Sequence, residues 1–114
     1  MDVGARSPEE LETLLEDAVI VRDATALSEL FEDEALWVTG TDPAGVRGRV
    51  GIARAASERW TEFARTAIPG RILQAGGLAL SVGTGVHVLR RDSHRGWRLA
   101  ISLTDRAAGR RERS

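Results

Sequence analysis

The chain has no cysteine and no tyrosine, and none of its 16 basic residues is lysine. Without cysteine there can be no disulfide and no cysteine-ligated zinc, a composition compatible with a reducing cytoplasm. Without tyrosine, no phenolic hydroxyl can donate to a developing oxyanion. A basic set made only of arginine reflects a GC-rich coding genome more than it reflects chemistry. Aromatics are scarce, at three Trp and two Phe, too few to supply stacking platforms for nucleic acid. Long apolar runs are missing too: charge or glycine breaks each of them well short of the roughly 20 residues a membrane span needs. The N-terminus has no basic segment followed by an apolar run. The expectation is a soluble, unexported, cytoplasmic protein with no membrane and no nucleic-acid partner.

What is present fits one modest core. The 114 residues are 42% hydrophobic and 29% charged, enough for a single domain. We place that domain at residues 1–105 and read residues 106–114, which carry no apolar period, as a disordered arginine-rich tail. The net charge of -1 conceals a polarity: residues 1–42 hold 12 acids against Arg6 and Arg22, and residues 43–114 hold 14 arginines against 5 acids. Complementarity between acidic helices and a basic remainder, within or between subunits, follows from this.

Ser7-Pro8-Glu9-Glu10 signals a helix start, with Ser7 as cap, Pro8 in the first turn and Glu10 reaching back. Leu11, Leu14, Leu15 and Ala18 recur at helical spacing, and Val19, Ile20 and Val21 widen the stripe. Asp23 caps a shorter helix with Leu27, Leu30 and Phe31 on one face. Ala35 to Thr39 has strand composition, and Gly40 to Gly45 reads as a loop. From Arg49 a third helix places Ile52, Ala53, Ala56, Trp60 and Phe63 on one stripe, ending at Pro69-Gly70. Beyond lie four strands, Arg71 to Ala75, Leu78 to Val82, Val86 to Arg91 and Trp97 to Thr104, which an antiparallel meander connects most simply.

This α-α-β-α order followed by a meander resembles the nuclear transport factor 2-like superfamily, and within it the SnoaL-like branch that includes polyketide cyclases and ketosteroid isomerases. The resembling residues are Glu9-Glu10-Leu11, Arg22 to Leu27, Leu30 to Ala35, Gly48-Arg49 with Ile52, Gly76 to Leu80, Val88 to Asp92 and Gly96-Trp97-Arg98, spread over residues 8 to 104. The resemblance implies an α+β cone, a curved antiparallel sheet packed against three N-terminal helices. It also implies a ligand pocket at the open end and a homodimer through the sheet's outer face. The short span from Leu78 to Val86 departs from deep-pocketed members, and leaves a shortened sheet or one bent strand as alternatives.

An isomerase of the ketosteroid type needs a carboxylate base and paired acidic donors, commonly a tyrosine and a protonated aspartic acid. The resemblance puts Thr39 at the base position, Leu15 at the tyrosine position and His87 at the aspartic position, so steroid-type isomerisation is not expected. His87 is the candidate catalytic residue, able to exchange a proton near neutral pH. The competing reading is a half-exposed strand histidine bonded to a neighbour. Thr39 can hydrogen-bond a ligand but is a poor base, and His94 belongs to a surface turn.

No metal set is expected, because the two histidines lack spaced carboxylates. Glu9, Glu10 and Glu12 read as helix-end and solvated-face charges. Gly45, Gly48 and Gly51 do not form a phosphate loop, and Ser81 and Ser102 have no nucleophile elbow around them. No cofactor is expected. Trp37, Thr39, His87 and Ser102, with Leu15 and Phe63 as apolar walls, are the expected ligand contacts. Trp60 is placed in the core, and Trp97 with Leu99, Ile101 and Leu103 on one face of its strand. The first functional expectation is a homodimeric domain binding a small apolar ligand. The alternatives are a cyclase- or isomerase-like enzyme using His87, and a ligand-free dimerisation module.

Overall fold

The structure, a computed structural model, describes residues 4–39 and 42–104. The proposed tail, 106–114, lies outside the described residues. Helix α1 spans Pro8–Ile20 and begins as its sequence dictates. Ser7 Oγ accepts from the Glu10 N–H at 3.0 Å, and Glu10 Oε1 reaches back to the Arg6 N–H at 2.6 Å. Its buried stripe is Pro8, Leu11, Glu12, Leu15, Ala18 and Val19. Ile20 and Val21 are about 70% exposed. The expected widening of the stripe is therefore corrected, because the helix ends where these two residues point to solvent.

Helix α1 stops in a left-handed residue. Arg22 sits at φ 56, the Asp23 N–H donates to the Ala18 carbonyl at 2.9 Å and the Arg22 N–H to that of Val19 at 3.1 Å, the paired bonds of a glycine-type helix terminus built here on arginine. Asp23 then caps helix α2, Ala24–Glu29, through Oδ1 and the Ala26 N–H at 3.0 Å. One residue thus closes α1 and opens α2, which fixes the angle between them. Phe31, expected on α2, instead opens strand β1, Phe31–Thr39.

Three further expectations are revised. Of the expected loop over Gly40 to Gly45, Gly40 and Thr41 lie outside the described residues and the rest is the start of strand β2, Asp42–Arg47, because β1 needs a partner on its free edge and Leu36 and Trp37 pair with Arg47 and Val46. Gly45, at φ 81, brings this hairpin so close that a Cβ would lie 3.0 Å from the Trp37 carbonyl oxygen. The third helix divides into α3, Arg49–Ser57, and α4, Trp60–Thr66, at Arg59, whose φ of -142 is not helical. Among the described residues four helices, not three, therefore cover the sheet. Phe63 still reaches the core, whereas Trp60 is only half-buried against it.

Strands β3 (Arg71–Ala75), β4 (Leu78–Val82), β5 (Gly85–Asp92) and β6 (Gly96–Thr104) complete one open, curved sheet in the order β2-β1-β6-β5-β4-β3. The fold is α+β, as expected, but the sheet is mixed: β6 runs parallel to β1. Three successive hairpin reversals leave β6 opposed to β3 in direction and place it beside β1, to which it runs parallel. The short Gly83-Thr84 connection separates two complete strands, so the alternative of one bent strand is excluded.

A β-bulge in β6 decides which residues face the helices. Leu89 pairs with Leu99 while its neighbour Val88 pairs with Ile101, leaving Ala100 as the extra residue. Trp97 and Leu99 consequently face inward, and beyond the bulge Ser102 and Thr104 do. Ile101 and Leu103, at 40% and 39% exposure, are turned to the outer face. The single face expected for Trp97, Leu99, Ile101 and Leu103 does not exist, because one inserted residue reverses the alternation of period two.

Arg22 provides a direct check on the helix junction. A side chain at positive φ is strained where glycine is not, so Arg22→Gly should stabilise the fold by roughly 0.5–1 kcal/mol. Urea unfolding of the two proteins measures it; a loss of stability would contradict the capping geometry.

Candidate functional site

The inner face of the sheet changes character along the strands. Ala79, Leu89, Leu99 and Phe31 form one row across β4, β5, β6 and β1, and it is wholly apolar. The next row is Ser81, His87, Ser102 and Trp37, and after it come Gly85, Thr104 and Thr39. Every side chain in these two polar rows is at most 7% exposed. Burying so many hydrogen-bonding groups is favourable only when they are satisfied, and the structure satisfies them in pairs. His87 Nδ1 lies 2.9 Å from Ser102 Oγ. The Trp37 indole N–H donates to Thr104 Oγ1 at 3.2 Å.

Glu12 enters this face from α1 and is 5% exposed. Its Oε2 accepts from the Ser81 hydroxyl, and its Oε1 from the Gly70 N–H at 3.2 Å. The reading of Glu12 as a solvated-face charge is therefore corrected. The periodicity carried the signal: Pro8, Leu11, Glu12, Leu15, Ala18 and Val19 occupy successive positions of one helical stripe, and a carboxylate on that stripe either breaks the core or serves it. Here it ties α1 to β4 and to the connection that precedes β3.

All six expected contact residues lie on this helix-facing side. His87 is 2% exposed and not half-exposed, Thr39 is 5% exposed, and Ser102 is fully buried. Trp37, Leu15 and Phe63 belong to the same packed core. The Phe63 ring meets Trp37 edge-on at 5.0 Å and Phe31 at 6.4 Å, geometries that add to area burial. His94 is exposed at the β5–β6 turn. Among the described residues, no group of three or more metal-ligating side chains gathers, and no helix is long and apolar enough to cross a membrane.

Solved structures share this architecture. One, named for the association domain of calcium/calmodulin-dependent protein kinase type II and taken from Thiobacillus denitrificans ATCC 25259, superposes with a TM-score of 0.67 at 15% identity, covering 91% of this chain and 98% of its own. A protein of unknown function with a cystatin-like fold from Nostoc punctiforme PCC 73102 gives 0.65 at 13% identity, covering 85% and 86%. A nuclear transport factor 2-like superfamily protein from Salmonella enterica serovar Typhimurium LT2 gives 0.62 at 17% identity, covering 82% and 84%.

The chain has the nuclear transport factor 2-like fold. No protein-family model matches the sequence, and comparison with curated proteins finds no match. At these identities the likeness carries the nuclear transport factor 2-like architecture and not the SnoaL-like branch within it, and an architecture alone assigns no function.

Glu12 gives the sharpest test of that face. Glu12→Ala strips the Ser81 hydroxyl and the Gly70 N–H of their partner and should cost about 1–3 kcal/mol. Glu9→Ala, on the exposed side of the same helix, should change stability by under about 0.5 kcal/mol. Chemical denaturation of both variants measures the contrast, and equal effects would refute a buried role for Glu12.

Proposed function

We propose that this domain binds a small, largely apolar molecule on the helix-covered face of its sheet, where Ser81, His87 and Ser102 hydrogen-bond the ligand's polar group. The observation that supports this most is the division of the inner face into an apolar row and two buried polar rows. A core needed only for stability would gain more from apolar side chains at these positions, since buried hydrogen bonds contribute little net free energy. An apolar ligand with one polar end would complement such a face by exchanging one of these side-chain pairs for a bond to itself. Trp37, Leu15 and Phe63 would form its walls, and Thr39 and Thr104 the polar rim.

A specific observation favours a second reading. Glu12 is hydrogen-bonded to Ser81, the cross-strand neighbour of His87. A carboxylate and an imidazole on one buried face are the materials of proton transfer. In this reading the protein catalyses a cyclase- or isomerase-like step in which His87 moves the proton and Glu12 orients the row.

The two readings separate experimentally. A thermal-shift screen of small apolar compounds carrying a carbonyl or hydroxyl should find stabilising ligands, and His87→Leu should weaken the best of them by about 3–10-fold, the loss of one hydrogen bond of roughly 0.5–1.5 kcal/mol. Binding indifferent to His87→Leu would refute the site. Turnover of a bound compound, abolished in both His87→Leu and Glu12→Gln, would establish the enzyme.

We further propose a homodimer through the outer face of the sheet, which also covers the ligand-free alternative. Leu73, Leu80, Val88, Ile101 and Leu36 run as one apolar row across five strands, with Val82, Val86, Leu103 and Val38 beside it. Apolar rows this continuous are unusual on a monomer's surface. The twofold self-complementarity of a gently curved sheet makes a second copy the natural cover. Light scattering should give twice the 12.3 kDa chain mass, and Ile101→Arg should give the monomer mass. A monomer in the unaltered protein would refute the dimer.

A further inference from the structure

Displaced along β6 from the polar rows, a cavity of about 370 Å³ opens between the end of α2, the start of α3 and the β5–β6 turn. Three arginines line it, Arg49, Arg95 and Arg98, and its apolar lining includes Leu30 and Trp97. Arg98 is 7% exposed. Its Nη2 donates to the Glu29 carbonyl oxygen at 3.4 Å, the outer limit of a hydrogen bond. Among the described residues, no carboxylate stands within ion-pair distance of it.

Asp33, beside the cavity, is already engaged. Asp33 Oδ1 lies 3.4 Å from Arg49 Nε and 3.6 Å from Arg95 Nη1. Burial, with repulsion from Arg95 and then Arg49, lowers the Arg98 pKa from the ordinary arginine range, and Asp33 and Asp92 oppose the shift. The cluster is held in place by its turn. Asp92 Oδ1 accepts from the His94 N–H at 2.7 Å and the Arg95 N–H at 3.1 Å, and these two bonds keep the Asp92 carboxyl below its usual range.

A buried guanidinium without a counter-ion is costly, and the walls around this one are partly apolar. Arg49, Arg95 and Arg98 stand against two carboxylates, Asp33, which Arg49 and Arg95 share, and Glu29 in the lining, so the cavity keeps a net positive charge of about one, which suits a monoanion better than a phosphate dianion. We propose that this cavity is a second binding site, for a small monocarboxylic acid whose carboxylate pairs with Arg98 and whose apolar body rests on Trp97 and Leu30. Guanidinium meets carboxylate through two parallel N–H donors, so Arg98 would orient the ligand as well as bind it. This site is independent of the polar rows and survives if they bind nothing.

The test is a titration of the full chain with sodium benzoate, followed by ¹H–¹⁵N NMR and calorimetry, with benzamide and inorganic phosphate as comparisons. Benzoate should bind saturably, displace the Trp97 and Arg95 resonances, and leave those of Ser102 in place. Benzamide should bind at least about tenfold more weakly, as should benzoate to Arg98→Met, because each comparison removes one charge-assisted pair. Arg95→Gln, an exposed substitution compatible with folding, should weaken benzoate binding by several-fold, and it decides the question if Arg98→Met does not fold. No saturable benzoate binding, equal binding of benzamide, tighter binding of phosphate, or full benzoate affinity in Arg95→Gln and in any folded Arg98→Met would overturn the proposal.

Discussion

The arrangement of this domain depends on a single extra residue in its last strand. Ala100 interrupts the alternation of β6, so that Trp97 and Leu99 face the helices before it and Ser102 and Thr104 face them after it. In an unbroken strand Ile101 and Leu103 would fill the interior and the two hydroxyls would lie on the outer surface. The cost of a bulge is one unpaired ladder position. Its consequence is an interior that is apolar at one end of the strands and hydrogen-bonded at the other, together with an outer face that keeps its branched aliphatic side chains.

The helices respect the same division. Phe31, Phe63 and Trp37 make the aromatic centre of the core, and α1 lays Leu11 and Leu15 on that centre while Glu12 reaches the polar side. Helix α1 could not turn about its axis to hide Glu12 elsewhere without exposing the leucines, because all three share one stripe. The junction at Arg22 and Asp23 then sets the direction of α2. Capping, stripe and bulge thus constrain one another across elements far apart in the chain.

The proposed functions follow the asymmetry of the sheet. Its helix-covered face carries one apolar row and two polar rows, its outer face carries aliphatic rows, and its arginines gather near the β5–β6 turn. The nuclear transport factor 2-like architecture accommodates many activities, and the solved structures that share it are at most 17% identical among those compared above. The proposals therefore rest on which side chains the strand register brings together and on whether those groups are satisfied.

Local signals in the sequence determined the start of α1, the Asp23 cap, the α+β class, the glycine-marked hairpins of β3 to β5 and the acid-to-base polarity, because each is set by neighbours within a few residues. Thr39, His87 and Ser102 were legible as polar residues in strands, but their burial was not. Tertiary structure alone decided the bulge at Ala100, the parallel pairing of β1 with β6, the strand that begins at Asp42, the break at Arg59 and the burial of Glu12 and Arg98. Each of these depends on a partner supplied from a distant part of the chain, since a strand edge, a buried charge and a strand's inward face are defined only by what packs against them.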